Sequence, residues 1–411
     1  MDSYLVGGAV RDKLLGIPVV DRDWVVVGGT PQQMLDAGYK SVGKDFPVFL
    51  HPDTHEEYAL ARTERKSAPG YHGFDIHTDE SVTLEEDLLR RDLTINAIAE
   101  TSDGVFVDPF NGQQDIKNRV LRHVSDAFIE DPVRVLRVAR FMARLAPMGF
   151  TVAPETLHLM QAMAANGEID TLVAERVWQE LHAAMVAKKP SAFIETLRKS
   201  NALTVILPEV DKLFGVPQPA KWHPEIDSGI HTLMVLDQAT ALSADPQIRF
   251  AALCHDLGKG TTPAEEWPSH RGHEKRSAEL IMVLCERLKT PKQFTDIAVL
   301  VGRYHLHCHN AFELSAKKVV QLLKTFDISR RPERFQQFLI ACEADARGRK
   351  GLENRDYPQF AYLQGAATAM LAVDNGAIAK AATSPAHIPD DLHRANLNAI
   401  RLYIESAQAD R

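Results

Sequence analysis

Near the start of the chain the segment Tyr4-Leu5-Val6-Gly7-Gly8-Ala9-Val10-Arg11-Asp12 is followed by Asp21-Arg22-Asp23, which heads a second apolar run from Trp24 to Val27. Few folds accommodate that order. Tyr4-Leu5-Val6 reads as a strand, Gly7-Gly8 as the turn that leaves it, and Val10 to Leu15 as a short helix stopped by Gly16. A glycine pair after a strand lets backbone amides approach an anion at a helix N-terminus. Gly8, and Arg11 one turn into the helix, are therefore candidate triphosphate contacts. Asp21 and Asp23, two apart on a strand, leave the same face. Paired carboxylates on one face suit Mg²⁺ ions that assist in-line displacement at phosphorus. Alone, Asp-x-Asp is more often a polar entry into a strand; joined to Gly-Gly-x-x-Arg-Asp it reads as a phosphoryl-transfer site.

The rest of the first part continues as mixed α/β. Gly28-Gly29 closes the second strand and Thr30-Pro31 caps another helix. Pro47-Val48-Phe49-Leu50 and Tyr58-Ala59-Leu60-Ala61 are further strand candidates. After Asp108-Pro109 the texture becomes helical, from Ile116 to Leu207. The proline-rich stretch Pro208 to Pro224 reads as a linker. From Ser228 onward the chain is again helical and rich in histidine. Its 411 residues allow roughly two to four domains. The formal net charge of −8 argues against a protein that coats nucleic acid generally, and leaves room for a local basic site. Asp2, Arg11, Asp12 and Lys13 interrupt any signal-peptide core. No apolar run reaches the ~18 residues of a membrane span. Cys254, Cys285, Cys308 and Cys342 form no Cys-x-x-Cys pair. The expectation is a reduced, cytoplasmic, membrane-free protein.

The Gly-Gly-x-x-Arg-Asp and Asp-x-Asp segments resemble the signature of the DNA polymerase beta nucleotidyltransferase superfamily, in its tRNA nucleotidyltransferase and poly(A) polymerase branch. Glu57-Tyr58-Ala59-Leu60-Ala61-Arg62, Arg90-Arg91-Asp92-Leu93-Thr94-Ile95-Asn96-Ala97 and Glu130-Asp131-Pro132-Val133-Arg134 carry the same resemblance. It implies that Glu57 is a third catalytic carboxylate beside Asp21 and Asp23. Arg91 would then contact ribose or phosphate, and Arg137 and Arg140 the nucleotide. Asp131 and Arg134 would read the base, and chemistry supports that independently. Cytosine and adenine both present an amino donor beside a ring acceptor, whereas guanine and uracil present the reverse order. One carboxylate and one guanidinium, three residues apart on a helix, can accept the first pair and reject the second. The plainer reading of Asp131, ahead of Pro132, is a helix cap.

Arg134, Arg137, Arg140 and Arg144 form a stripe with no acidic residue between them. An arginine row is usually a solvated helix face, but without acidic partners this one favours phosphate contact. Glu175-Arg176-Val177-Trp178-Gln179-Glu180 reads as a supporting helix.

In the second half, His231, His255-Asp256 and Asp345 stand out, with His255-Asp256 followed by Leu257-Gly258-Lys259. Imidazoles and carboxylates from separate helices suit a divalent transition metal acting on a phosphate ester. The segment resembles the HD phosphohydrolase superfamily, which implies that His231, His255, Asp256 and Asp345 are ligands, for an ion such as Ni²⁺. His270, His273 and His305 are secondary candidates. His305, His307 and His309 alternate, as a strand-like metal clip or a polar helix end; His307 and His309 receive no role.

The fold expected is α+β. A polymerase-beta-like head with an antiparallel or mixed sheet (1–140, including the start of a neck) precedes a helical neck and body (141–225). An all-α HD domain (226–350) and a helical tail (351–411) complete it. The resemblance is near full length and strongest to bacterial multifunctional CCA proteins. It implies addition and repair of the tRNA 3′-terminal CCA from CTP and ATP without a template, with Mg²⁺. It further implies phosphatase, 2′,3′-cyclic phosphodiesterase and 2′-nucleotidase activity in the HD domain. The alternatives are a poly(A) polymerase, disfavoured because Ser384 to Arg411 is not a basic extension, and a nucleotide-signalling HD hydrolase. Nothing in the sequence points to a protein partner.

Overall fold

The computed structural model describes residues 1–42, 48–66, 74–77 and 79–409. Pro47 and Arg411, named above, lie outside them. The chain divides into two compact units, Met1–Ile206 and Leu207–Arg411.

The first unit opens with β1 (Asp2–Val6), α1 (Gly8–Leu15), β2 (Asp23–Val27), α2 (Pro31–Asp36), β3 (Lys40–Val42), β4 (Val48–Leu50) and β5 (Glu57–Leu60). The pair β6 (Thr63–Lys66) and β7 (Phe74–His77), α3 (Leu84–Leu89), β8 (Ala99–Glu100) and β9 (Phe106–Val107) follow. Among the described residues one sheet has the order β3-β4-β5-β2-β1-β8-β9. Only β2 and β5 run parallel in it, so the sheet is mixed. Alternation sorts its two faces. Val6, Val25, Ala61, Leu88 and Ala99 are buried in one cluster; Val26, Met34, Phe49, Tyr58 and Leu60 in another. Thr30 caps α2 through a reciprocal capping box with Gln33.

The helical part of this unit comprises α4 (Gly112–Asn118), α5 (Val133–Leu145), α6 (Pro154–Ala165), α7 (Ala174–Val186), α8 (Pro190–Lys199) and α9 (Leu203–Ile206). Val135, Leu136, Val138 and Ala139 are fully buried where α5 packs on α7 and α8. The helical texture expected from Ile116 to Leu207 is interrupted, among the described residues, by one two-stranded pair. β10 (Val120–Leu121) pairs in parallel with β11 (Thr151–Val152): Thr151 N donates to Arg119 O and Ala153 N to Leu121 O, at 2.9 Å each.

The second unit contains α10 (Pro208–Asp211), α11 (Ser228–Leu242), α12 (Pro246–Cys254), α13 (His273–Arg287), α14 (Lys292–His309), α15 (Ala316–Thr325) and α16 (Pro332–Arg347). α17 (Pro358–Leu371), α18 (Asn375–Ala381) and α19 (Ile388–Ala409) follow. α14 packs against α12, α13 and α16, and α11 against α12 and α16. The stretch read as a linker is not one. Leu207, Val210, Leu213 and Val216, spaced three apart, are all buried, and Gln218 is 2% exposed. Gln218 N donates to Ile226 O at 2.7 Å and Ser228 N to Val216 O at 2.9 Å. Its prolines shape turns inside the second unit, whose boundary lies well before the expected one at 225.

Candidate functional site

The strand ends around Gly7 assemble the first site. Gly7, at φ 68°, takes a left-handed turn that L side chains rarely adopt. α1 starts directly after it, earlier than expected, and Arg11 N donates to Gly7 O at 3.1 Å. Val6 lies opposite Asp23, and Asp23 opposite Glu57 of β5. Cross-strand partners share a face, so the Asp23 and Glu57 side chains leave side by side. Asp21 is exposed and precedes β2, which begins at Asp23 rather than spanning both aspartates. Partial loss of water pushes the Asp23 carboxyl above its ordinary value; Arg91 opposes this and Asp21 adds to it. Asp21, Asp23 and Glu57 are not drawn into one tight group: among the described residues, those with donor atoms within 4.8 Å of one another lie elsewhere.

Beside Asp23 opens a cleft of about 540 Å³, lined by Gly8, Arg11, Arg91, Asp131, Arg134, Arg137 and Arg140. All seven expected nucleotide-contact residues thus line the same cleft as Asp23. Asp21 and Glu57 are not among the lining residues. Arg62, Arg90, Arg144, Arg176, Asp92 and Phe141 also line it, giving nine arginines against three aspartates.

The arginine stripe has acidic partners, contrary to expectation, and they come from other elements. Arg137 Nε donates to Asp92 Oδ2 at 2.7 Å, Arg140 Nε to Glu180 Oε2 at 2.6 Å and Arg144 Nη2 to Asp12 Oδ2 at 2.6 Å. Asp92 also accepts from Asn96 Nδ2, whose Oδ1 accepts from Arg11 Nη1 at 2.6 Å. Burial alone would raise Asp92, but Arg137, Asn96 and the Leu93 amide outweigh it and hold the carboxyl at about 2. Arg11, Arg137 and Arg140 stack over Phe141 with centroid distances of 5.0, 5.8 and 4.7 Å. Asp92 and Phe141 were missed as positioning residues. Asp92 stood inside a quoted motif, whereas a lone phenylalanine carries no signal.

Asp131 and Arg134 both face the cleft but are not each other's partner. α5 begins at Val133, so Asp131 sits ahead of the helix in extended backbone. Its Oδ1 accepts from Val133 N at 3.0 Å and stands 3.7 Å from Arg176 Nη1. Arg134 donates instead to Ala127 O at 2.8 Å and Arg90 O at 2.5 Å. α7 supports the site as read, through Arg176 and Glu180.

The second site lies in the other unit. The Nε2 of His231 on α11 is 3.1 Å from Asp345 Oδ1 of α16, and the Nε2 of His255 after α12 is 3.1 Å from Asp256 Oδ2. Ligand atoms of His231, His255 and Asp345 lie within 4.8 Å of one another, and so do those of Asp256, His273 and His305. Asp256 therefore stands with two histidines held only as secondary candidates. Gly258 makes this possible: a Cβ there would come within 2.2 Å of His273 O and 2.6 Å of Ser277 N, so only glycine lets α13 approach.

Four imidazoles are oriented alike. Nδ1 of His231 faces Gly348 O, that of His255 faces Ala252 O, that of His273 faces His270 O and that of His305 faces Val301 O. Carbonyls only accept, so each Nδ1 carries a proton and each Nε2, the ring nitrogen a metal would take, points inward. Burial, the largest influence, pushes His305 well down, which keeps it neutral. Asp345 and Asp256 stay well below the carboxylate range despite burial, through His309 and His255 for the first and His255 and Lys259 for the second. His255 Nε2 and Asp256 Oδ1 are buried without hydrogen-bond partners, an arrangement that fits a cation.

His270 is removed from the candidates, since Thr262 Oγ1 and Pro217 O occupy its two ring nitrogens at 2.9 Å each. The alternating histidines lie on α14, a helix and not a strand. His309, given no role, joins Asp345 Oδ2 at 2.6 Å and the Tyr357 hydroxyl at 2.9 Å.

Comparison with known proteins agrees with both halves. The Poly A polymerase head domain family matches residues 3–122, the family described as "Probable RNA and SrmB- binding site of polymerase A" matches 149–214, and the HD domain family matches 229–332. The chain is 58% identical to the multifunctional CCA protein of Teredinibacter turnerae, covering 99% of each chain. It is 59% identical to that of Thioalkalivibrio sulfidiphilus, covering 98% of each. A solved CCA-adding enzyme in an apo form shares its fold with a TM-score of 0.66 at 20% identity, covering 100% of this chain and 92% of that one. With a nucleotidyltransferase head, an HD-type histidine cluster and this identity over nearly the whole length, the chain belongs to the multifunctional CCA protein family.

Proposed function

We propose that the first unit completes the 3′-terminal CCA of tRNA, using CTP and ATP and releasing pyrophosphate. The observation that carries this reading is Asp23, the cross-strand partner of Glu57, in the wall of an arginine-lined cleft that also holds Asp131. Carboxylate oxygens suit Mg²⁺, and Asp21, Asp23 and Glu57 are the residues that would hold it. When bound, Mg²⁺ activates the terminal hydroxyl and neutralises charge at the α-phosphorus. The arginines and the Gly8 turn bind the triphosphate and align it. The tRNA 3′-oxygen then bonds to the α-phosphorus as the bond to the β-phosphate oxygen breaks. Asp131 accepts from the amino group of cytosine or adenine, while Arg134, fixed by two backbone carbonyls, donates to the ring acceptor.

The second unit hydrolyses phosphomonoester or 2′,3′-cyclic phosphodiester ends. Its inward Nε2 atoms and carboxylates suit a transition metal such as Ni²⁺, which supplies an activated water when bound. Both activities act on RNA ends, which belongs in a cytoplasmic protein.

The test offers tRNA ending at the discriminator base, or at CC, with one labelled nucleotide at a time. CTP alone extends the first and ATP alone extends the second by one residue. Long adenylate tails, or equal use of UTP, would overturn the reading.

A further inference from the structure

We infer that Asp87 is the positioning residue that ties the phosphate end of the arginine cleft to its base-reading end. The inference rests on the nucleotidyltransferase reading of the first unit. Asp87 lies on α3, is fully buried and does not line the cleft, so it acts on a nucleotide only through other residues. Its carboxylate is the common partner of three residues that do line the cleft, Arg62, Arg90 and Arg91. Oδ1 accepts from Arg90 Nη2 at 2.7 Å, from Arg90 Nε at 3.0 Å and from the Arg62 amide at 3.3 Å. Oδ2 accepts from Arg91 Nη2 at 3.0 Å. Spacings of three and four residues across the end of α3 let one carboxylate reach both guanidinium groups. Burial alone would raise the Asp87 carboxyl, but Arg91 and Arg90 outweigh it and hold it below its ordinary value. Neighbouring guanidinium groups repel each other, and the anion between them is what lets both converge on one cleft.

Each oxygen serves a different end of the cleft. The Oδ2 tether lays Arg91 against the Gly7 turn, where a Cβ on Gly7 would come within 3.1 Å of Arg91 Nη1. That turn leads into α1, whose first amides are placed to receive a triphosphate. The Oδ1 tether fixes the side chain of Arg90, whose Nε also donates to Arg62 O at 3.1 Å. The Arg90 carbonyl in turn accepts from Arg134 Nη2 at 2.5 Å. It is one of the two carbonyls that hold Arg134, the guanidinium read as donating to the base. One buried carboxylate thus sets a phosphate contact directly and a base contact through the Arg90 backbone.

The experiment measures kcat and KM for CTP, ATP and UTP on tRNA ending at the discriminator base or at CC, in the full-length protein. Asp87→Asn keeps the shape. Its amide oxygen stays with the three donors around Oδ1, which leaves an amino group facing Arg91. KM for CTP and ATP rises about tenfold, kcat changes by less than about threefold, and the preference over UTP is kept. Asp87→Ala frees Arg90 as well, and the preference over UTP falls about fivefold in addition. In an Arg91→Ala background Asp87→Asn adds less than about twofold to KM, because its route to the phosphates is gone. Melting curves set an assay temperature at which every variant is folded. A fall in kcat with KM unchanged, or the same loss with and without Arg91, overturns the inference. So does an Asp87→Ala variant that keeps its full preference over UTP. If wild type extends no tRNA, the nucleotidyltransferase reading fails, and CTP binding by equilibrium dialysis then decides the role of Asp87. Binding about tenfold weaker in Asp87→Asn supports it, and equal or absent binding overturns it.

Discussion

The Asp131 carboxylate holds the first turn of α5 through the Val133 amide and faces the nucleotide cleft. Replacing it by alanine separates these duties. A lost charge-assisted hydrogen bond to the base costs ~1.5–3 kcal/mol, about ten- to a hundredfold in kcat/KM for CTP and ATP. The rate with UTP changes less, since uracil offers no amino group. Measuring all three nucleotides on tRNA ending at the discriminator base or at CC decides it; an equal fall for each means Asp131 only caps the helix. Asp92 makes a stability claim as well. Its folded value is about 2 against an ordinary 3.8. A depressed carboxylate stabilises the fold above its unfolded value, and that stability disappears as pH falls through the folded one. The contribution is about 2 kcal/mol at neutral pH. Urea unfolding of Asp92→Asn should therefore trail wild type at neutral pH, with the gap closing from about pH 4 to about pH 2. A gap that ignores pH assigns the loss to packing.

Single glycines decide how closely the elements approach. Gly258 N donates to Ser277 Oγ at 2.9 Å, and the backbone of α13 fills the space a methyl group would need. Gly258→Ala must push α13 away and take His273 with it. Such overpacking costs about 1–3 kcal/mol, enough to lower the melting temperature by several degrees. Metal-dependent hydrolysis should fall further than stability alone explains; full hydrolysis at reduced stability would show that His273 is not needed. Much of this level was legible in the sequence. Apolar runs marked β1, β2, β4 and β5, and Thr30-Pro31 marked the start of α2. The partners of the arginine stripe were not legible, because Asp12, Asp92 and Glu180 lie on other elements and reach α5 only in the fold. The alternation of His305, His307 and His309 favoured a polar helix end but left a strand-like clip open, since a short run fits either period. Only packing of α14 resolved it, turning His305 toward Asp256 and His309 toward Asp345.

At the scale of the molecule, a net charge of −8 coexists with a cleft lined by nine arginines, so overall charge gave no hint of where the basic surface lies. Proline-rich composition likewise suggested a linker at 208–224, although the buried Leu207, Val210, Leu213 and Val216 tie that stretch into the second unit. Each site is built from residues of a single unit: the arginine cleft from Met1–Ile206, the histidine cluster from Leu207–Arg411. Two separate sets of metal-binding groups should give two activities that fail separately. Asp23→Ala removes a carboxylate at the first site, and nucleotide addition should drop below about a tenth of wild type while ester hydrolysis persists. His255→Ala removes an inward imidazole from the buried cluster at the second site. Hydrolysis should vanish and addition should stay within about twofold, because none of its ligands lines the arginine cleft. Both variants need both assays and a melting curve, since His255 is 1% exposed and its loss could unfold the second unit. Unchanged melting with both activities lost in either variant would mean that one composite site does both reactions.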